Sequence, residues 1–287
     1  MTYIVHGATG AQGSPVLAEL IAAGHDVSAA VRDPRGLPEG VHGIAVDLAD
    51  TNSLIAAYRG AEGVFIHLPL GAPDQILGFA RSIVAAVAEA KPARVVVSTS
   101  GAIVDEPGAA LQAAPESAIA TLISGIAASG VSLAVVAPRL YLENLLLPMI
   151  AGPAREEGVL RYPLPSGYPV SWSSHLDVAV VAARLLTDPT VTGTVAVGAL
   201  PGLSGEDLAA GFAAHLGRAV SFEAISPDQF GELIIPMFGP EASAPIVGLY
   251  HALGERNSNV IAAENSAQTL LGLHPRSVAQ WLAAVGA

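Results

Sequence analysis

The chain has 287 residues, 52% of them hydrophobic and only 13% charged, with a formal net charge of −12. That composition excludes a disordered chain, and the negative charge argues against nucleic acid or an anionic membrane surface as the main partner. There is no cysteine, which removes disulfides, thiolate nucleophiles, cysteine-held zinc and iron–sulfur clusters together and makes the cytoplasm the expected compartment.

The chain opens on Tyr3-Ile4-Val5, strand-like and without a basic leader, so no secretory signal is expected. Mean hydropathy is +0.52. Even so, no run of about 18 apolar residues is free of charge, proline and glycine, and no membrane span is expected. In chain order, Tyr3 to His6 reads as a strand. Pro15 to Ala23 reads as a helix stopped by Gly24. Val27 to Val31 and Val41 to Val46 are further strands. Ser53 to Arg59 is a helix with Asp50 or Thr51 to cap it. Gly63 to Leu68 is a fourth strand, Ala72 to Lys91 a long helix closed by Pro92, and Arg94 to Ser98 a fifth strand. Another helix precedes Gly130, and Val131 to Ala137 is a sixth strand.

These strands are apolar along their length, as strands buried on both faces are. Alternation with helices predicts an α/β fold, a Rossmann-type doubly wound parallel sheet. Beyond about residue 147 the rhythm loosens, and Gly152 to Pro169 reads as loop. A helix runs from Ser174 to Leu186, and Thr194 to Val197 supplies a seventh strand to the same sheet. Ser204 to Leu216 is a helix with a Ser204/Asp207 capping box. Val220 to Ala224 is a short strand, Ser226 starts another capped helix, and Val278 to Val285 is the last helix. The expected division is a Rossmann domain of residues 1–147 plus 171–198 and a smaller, mostly helical lobe of residues 148–170 plus 199–287.

The strongest local signal is Gly7-Ala8-Thr9-Gly10-Ala11-Gln12-Gly13, between the first strand and the first helix. Missing β-carbons permit a tight turn and let backbone N–H groups approach a diphosphate at the helix N-terminus. The spacing is G-x-x-G-x-x-G rather than G-x-G-x-x-G, but the flanking strand–helix–strand context supports dinucleotide binding. About 20 residues on, where an acid would chelate the ribose diol of NAD, stands Arg32. A guanidinium there pairs with a 2′-phosphate, so NADPH is expected over NADH, with Arg35 a weaker candidate for the same phosphate. Asp33 keeps NADH open as the alternative. Asp47 and Leu48 end the third strand, where adenine rests in such folds. His67, Leu68 and Pro69 end the fourth at the ligand-binding carboxyl edge. A histidine there more often lines the cofactor than acts as an acid.

The glycine loop, Arg32-Asp33-Pro34, Ser98-Thr99-Ser100-Gly101 and Pro138-Arg139-Leu140-Tyr141-Leu142-Glu143-Asn144 together resemble the NmrA-like branch of atypical short-chain dehydrogenases. Within it the chain is most similar to the NAD(P)H:quinone oxidoreductase and triphenylmethane reductase group. The resemblance implies a cofactor site that includes Thr9, Ala11, Gln12, Ser98, Thr99, Pro138 and Tyr141 beside the loop glycines. The departures matter. Short-chain dehydrogenases use a Tyr-x-x-x-Lys pair for proton transfer. Here the one lysine is Lys91, with Val87 four residues before it. The lysine that NmrA-like members carry in the next helix is replaced by Ile119, and the arginine before the sixth-strand proline by Ala137, with Arg139 displaced beyond it.

Hydride transfer to a quinone needs no strong protein acid, because the developing charge is delocalised and solvent can protonate the product. The expected activity is therefore NADPH-dependent reduction of a small apolar or aromatic conjugated acceptor. Tyr141 and Asn144 are the candidate catalytic residues, with Tyr168 and Trp172 as further liners. Tyr141 hydrogen-bonds an acceptor oxygen or merely packs; Asn144 orients the nicotinamide or fixes a loop. His175 and Asp177 read as a helix start capped by Ser174 rather than as catalysts. No G-x-S-x-G elbow surrounds Ser98 to Ser100, and no metal-ligand motif is present. The alternatives are a redox sensor that binds NAD(P) without turnover and reports to a protein partner, and a biosynthetic isomerase or reductase for one specialised metabolite. A homodimer is compatible with any of these.

Overall fold

The computed structural model describes residues 2–287, which divide into two compact units. The first comprises residues up to Pro138 together with His175–Val197 and Asn265–Leu273. Its centre is a seven-stranded, wholly parallel sheet. The strands are β1 (Thr2–His6), β2 (Asp26–Val31), β3 (His42–Ala45), β4 (Gly63–His67), β5 (Arg94–Ser98), β6 (Ser132–Pro138) and β10 (Gly193–Val197), in the order β10-β6-β5-β4-β1-β2-β3. The order reverses between β1 and β4, the topological switch point at which open α/β sheets bind ligands.

Each strand falls within one residue of its expected bounds, because Val64, Phe65, Val95, Val96 and Val97 leave no polar face to mislead the reading. Helices α1 (Gly13–Ala22) and α6 (His175–Thr187) cover one face; α2 (Thr51–Tyr58), α3 (Pro73–Ala90) and α4 (Ala118–Ala128) cover the other. Leu54, Tyr58, Ile83, Val87, Leu122 and Ile126 from the latter three pack against Ile4, Ile66 and Val97 of the sheet in one buried cluster. Asp50 caps α2 by accepting from the Asn52 N–H at 2.9 Å, and Ser117 caps α4. Short helix α10 (Ala267–Leu271) also belongs to this unit, and residue Ser266 before it makes a single bridge to Ala196 on the outer side of β10.

Arg94 is 2% exposed at the amino end of β5. Its Nε donates to the Leu185 carbonyl, Nη1 to Ser132 Oγ at 2.8 Å and Nη2 to the Val191 carbonyl. Those carbonyls lie in the last turn of α6 and in the turn before β10, so one guanidinium pairs acceptors that burial would otherwise orphan.

The second unit comprises Arg139–Ser174, Gly198–Glu264 and His274–Ala287. It holds two short parallel pairs, β7 (Leu140–Tyr141) with β9 (Trp172–Ser173) and β8 (Val159–Tyr162) with β11 (Ser221–Ala224). Its helices are α5 (Pro148–Glu156), α7 (Gly205–Leu216), α8 (Pro227–Phe238), α9 (Pro240–Gly254) and α11 (Val278–Val285). The Ser204/Asp207 capping box forms, as do boxes at Ser226/Gln229 and Ser277/Gln280.

The loop expected over residues 152–169 is corrected here: α5 runs through Gly152 and Pro153, and β8 follows. Pro148 occupies the favoured first helical position, and Ile150, Ala151 and Ala154 bury one face. That burial outweighs the helix-breaking composition. Tyr162 from β8 then sits edge-on to Trp172 at 5.4 Å and to Tyr250 at 5.5 Å, with Phe230 completing an aromatic core. Among the described residues, no helix is long and apolar enough to cross a membrane, and no cluster of histidine and acidic side chains could hold a metal.

Candidate cofactor site

The loop after β1 is built as the glycine pattern requires. Gly7 has φ +59, the left-handed region, and its N–H donates to the Ala30 carbonyl at 3.2 Å. The Gly10 N–H donates back to the Gly7 carbonyl at 2.8 Å, closing the turn. A β-carbon on Gly13 would stand 2.5 Å from the His6 carbonyl oxygen and closer still to that of Gly7. One on Gly7 would stand 3.0 Å from Cε1 of His67 and would overlap its Nε2. Backbone and ring thus approach the loop as closely as atoms permit.

The first turn of α1 has no side-chain cap and no acidic residue. Thr9, Gly10 and Ala11 are exposed. The N–H groups of that turn, together with the helix dipole, are what a diphosphate needs.

Arg32 follows β2 directly and is exposed, and among the described residues its side chain has no hydrogen-bond or ion-pair partner. Its neighbours are engaged with each other. Asp33 accepts from Arg35 Nε at 2.9 Å, from Nη2 at 2.6 Å and from the Arg35 backbone N–H at 3.0 Å. These bonds hold the Asp33 carboxyl below its usual range. Asp33 and Arg35 are thus turned towards each other rather than towards Arg32.

Asp47 is exposed beyond β3 and accepts from the Ala49 N–H at 2.9 Å; Leu48 packs against the sheet core. His67, Leu68 and Pro69 leave the carboxyl end of β4 half-buried, and Leu70 after them is fully exposed. Burial pushes the His67 imidazole down, so it is neutral at neutral pH. Among the described residues its Nε2 has no partner, and neither has the hydroxyl of Thr99, a residue 4% exposed at the end of β5. Two orphaned buried polar atoms on adjacent strands, in register at His67 and Ser98, suit a site completed by a polar ligand. Pro138 ends β6 at the same carboxyl edge, paired in register with Val197.

His6 and His175 both lie within electrostatic reach of His67. Burial, with His67 adding to it, lowers His6 to about 3 and His175 to about 4. The His6 Nε2 and the Tyr58 hydroxyl, 2.8 Å apart, share a hydrogen bond. The helix expected after Ser174 begins at His175, and Asp177 is buried in its first turn.

Gly7 to Gly13, Arg32, Asp47, Leu48, His67 to Pro69, Ser98, Thr99 and Pro138 all lie in the first unit, and Tyr141 and Asn144 in the second. Tyr141 is half-buried in β7, paired with Ser173. The Asn144 side chain hydrogen-bonds Tyr162 and Tyr250, whose two hydroxyls also bond each other. Tyr168 and Trp172 are buried, Trp172 in the aromatic core.

Sequence reasoning gave Gln12 no partner. Its side chain bonds Ser98 and Ser100, which stand 86 and 88 residues further on, and no local pattern signals such a contact.

The chain is thus a Rossmann-type α/β protein with a glycine-loop site at its switch point. A model of the NmrA-like family matches residues 1–282, and the chain belongs to that family. An NAD(P)H azoreductase of Xenophilus azovorans is 33% identical over 261 residues, which cover 87% of this chain and 86% of that protein. Among solved structures, the triphenylmethane reductase of Citrobacter sp. complexed with NADP(H) superposes with a TM-score of 0.79 at 18% identity, over 99% of this chain and 100% of that one. The NADPH-dependent quinone oxidoreductase of Escherichia coli complexed with NADPH gives a TM-score of 0.75 at 20% identity, over 100% of both chains. At those identities the two structures speak for the fold.

Proposed function

We propose that the protein is an NAD(P)H-dependent oxidoreductase that prefers NADPH and reduces an apolar conjugated acceptor such as a quinone or an azo or triphenylmethane dye. The observation that carries the reading is the free guanidinium of Arg32 beside an Asp33–Arg35 pair closed on itself. When bound, a reduced nicotinamide supplies the hydride.

The chain's own residues do the rest. The N–H groups of Gly10 to Gly13 hold a diphosphate, and Arg32 pairs with a 2′-phosphate. Asp47 and Leu48 border the adenine. His67 stays uncharged against Gly7, and Ser98, Thr99 and Pro138 border the nicotinamide side. Tyr141 is the hydrogen-bond donor to the acceptor, and Asn144 is held in place by the Tyr162 and Tyr250 phenols. Proton transfer by a tyrosine–lysine pair is not used: Lys91 is exposed at the C-terminal end of α3, just before the amino end of β5, at the edge opposite the glycine loop.

The test is a titration with NADPH and NADH, followed by turnover with a panel of quinones and dyes read at the nicotinamide absorbance band. NADPH should bind tighter, and Arg32→Ala should lose about 10- to 100-fold for NADPH while barely affecting NADH, the worth of a charge-assisted hydrogen bond or two. Tighter NADH binding by the wild type refutes the Arg32 role. Nucleotide binding without turnover on any acceptor favours a sensor, the second reading, which the missing Tyr-x-x-x-Lys pair supports.

A further inference from the structure

Gln12 precedes α1 but does not cap it. Its carboxamide reaches across to β5 instead. Ser98 Oγ donates to Gln12 Oε1 at 2.9 Å, and Gln12 Nε2 donates to Ser100 Oγ at 3.0 Å. The Ser100 N–H donates to Ser98 Oγ at 3.3 Å, so the three residues close a ring of hydrogen bonds.

The turn this ring holds is a costly one. Ser100 has φ +55, and Gly101 after it φ +96. A serine reaches the left-handed region only with support from its surroundings. The amide uses both its acceptor and its donor here, and a chain of such bonds strengthens each member.

The clasp also has a side. In the strand order, β5 lies beyond β4 from β1, whereas β2 with Arg32 lies on the other flank. A dinucleotide across the switch point places one mononucleotide on each flank. With the adenosine phosphate on Arg32, the nicotinamide half falls on the flank of β4 and β5. Resting on the dinucleotide reading above, we infer that Gln12 is a positioning residue for the nicotinamide half: it ties the glycine loop to the Ser98–Ser100 turn and fixes that turn in the shape which receives the nicotinamide nucleotide.

The test separates the two halves of the ligand. Wild type, Gln12→Ala and Arg32→Ala are titrated with NADPH and with adenosine 2′,5′-bisphosphate, which carries the adenosine half alone. Gln12→Ala should weaken NADPH about tenfold, the worth of one to two net hydrogen bonds, and leave the bisphosphate within about twofold. Arg32→Ala should weaken both.

Equal loss of both probes in Gln12→Ala makes the clasp a general support of the loop and overturns the inference, as does no loss of either. If Gln12→Ala fails to fold, Ser100→Gly replaces it. That variant deletes the hydroxyl while relieving the left-handed backbone, and it should give the same NADPH-selective loss; unchanged NADPH binding overturns the inference. A wild type that binds neither probe refutes the dinucleotide reading itself, an outcome distinct from a failure of the clasp.

Discussion

Lowering the pH from 7 to 5 should cost the native chain about 2 kcal/mol at His6 alone. His6 is 3% exposed, and burial, with His67 nearby, depresses its imidazole to about 3. In the unfolded chain it titrates near 6.5. Between those values the unfolded state binds a proton that the native state does not, so this contribution is intact above 6.5 and is lost as the pH falls towards 3. Each unit is worth about 1.4 kcal/mol, and pH 5 lies about 1.5 units below the unfolded value, which gives about 2 kcal/mol. His175, lowered to about 4 and less buried, adds in the same direction. The assay is urea unfolding at pH 7 and pH 5 for the wild type and for His6→Gln, which keeps a partner for the Tyr58 hydroxyl but does not titrate. The wild type should lose about 2 kcal/mol more than the variant across that interval. Equal losses would refute the claim that His6 is held neutral by burial.

Gly13→Ala should destabilise the fold by about 1–3 kcal/mol and abolish tight NADPH binding, because the added methyl meets backbone carbonyls that cannot yield; thermal melting with and without NADPH checks both. Gly78→Ala, in the exposed interior of α3 with nothing within 4 Å of the new carbon, should instead stabilise by about 0.5–1 kcal/mol, and a loss there would count against the helix assignment. Arg94→Met should cost about 3 kcal/mol in chemical denaturation, since it strands the Leu185 and Val191 carbonyls. A change below about 1 kcal/mol would mean that those acceptors find other partners.

The parallel sheet is legible because its strands are apolar on both faces, and the helix starts because Asp50, Ser204 and Ser226 announce themselves within three residues of their partners. Local chemistry also marks the tight glycine turn between β1 and α1. Within the expected loop of residues 152–169, the stretch 152–162 is helix and strand: Gly152, Pro153 and Gly158 weigh against both locally, whereas the burial that overrides them is set by residues far along the chain. The same distance hid the Tyr58 partner of His6, the two phenols on Asn144 and the serines on Gln12. Each of these depends on side chains brought together only by the finished fold.

The bridge from Ala196 to Ser266 bears on self-association. A bare strand at the rim of a sheet invites another chain to dock and continue the ladder. Here that rim is blunted by the molecule's own late segment, and the opposite rim, β3, offers only four residues with both ends exposed. Neither margin of this sheet therefore offers a long run of unpaired backbone on which a neighbour could extend the ladder.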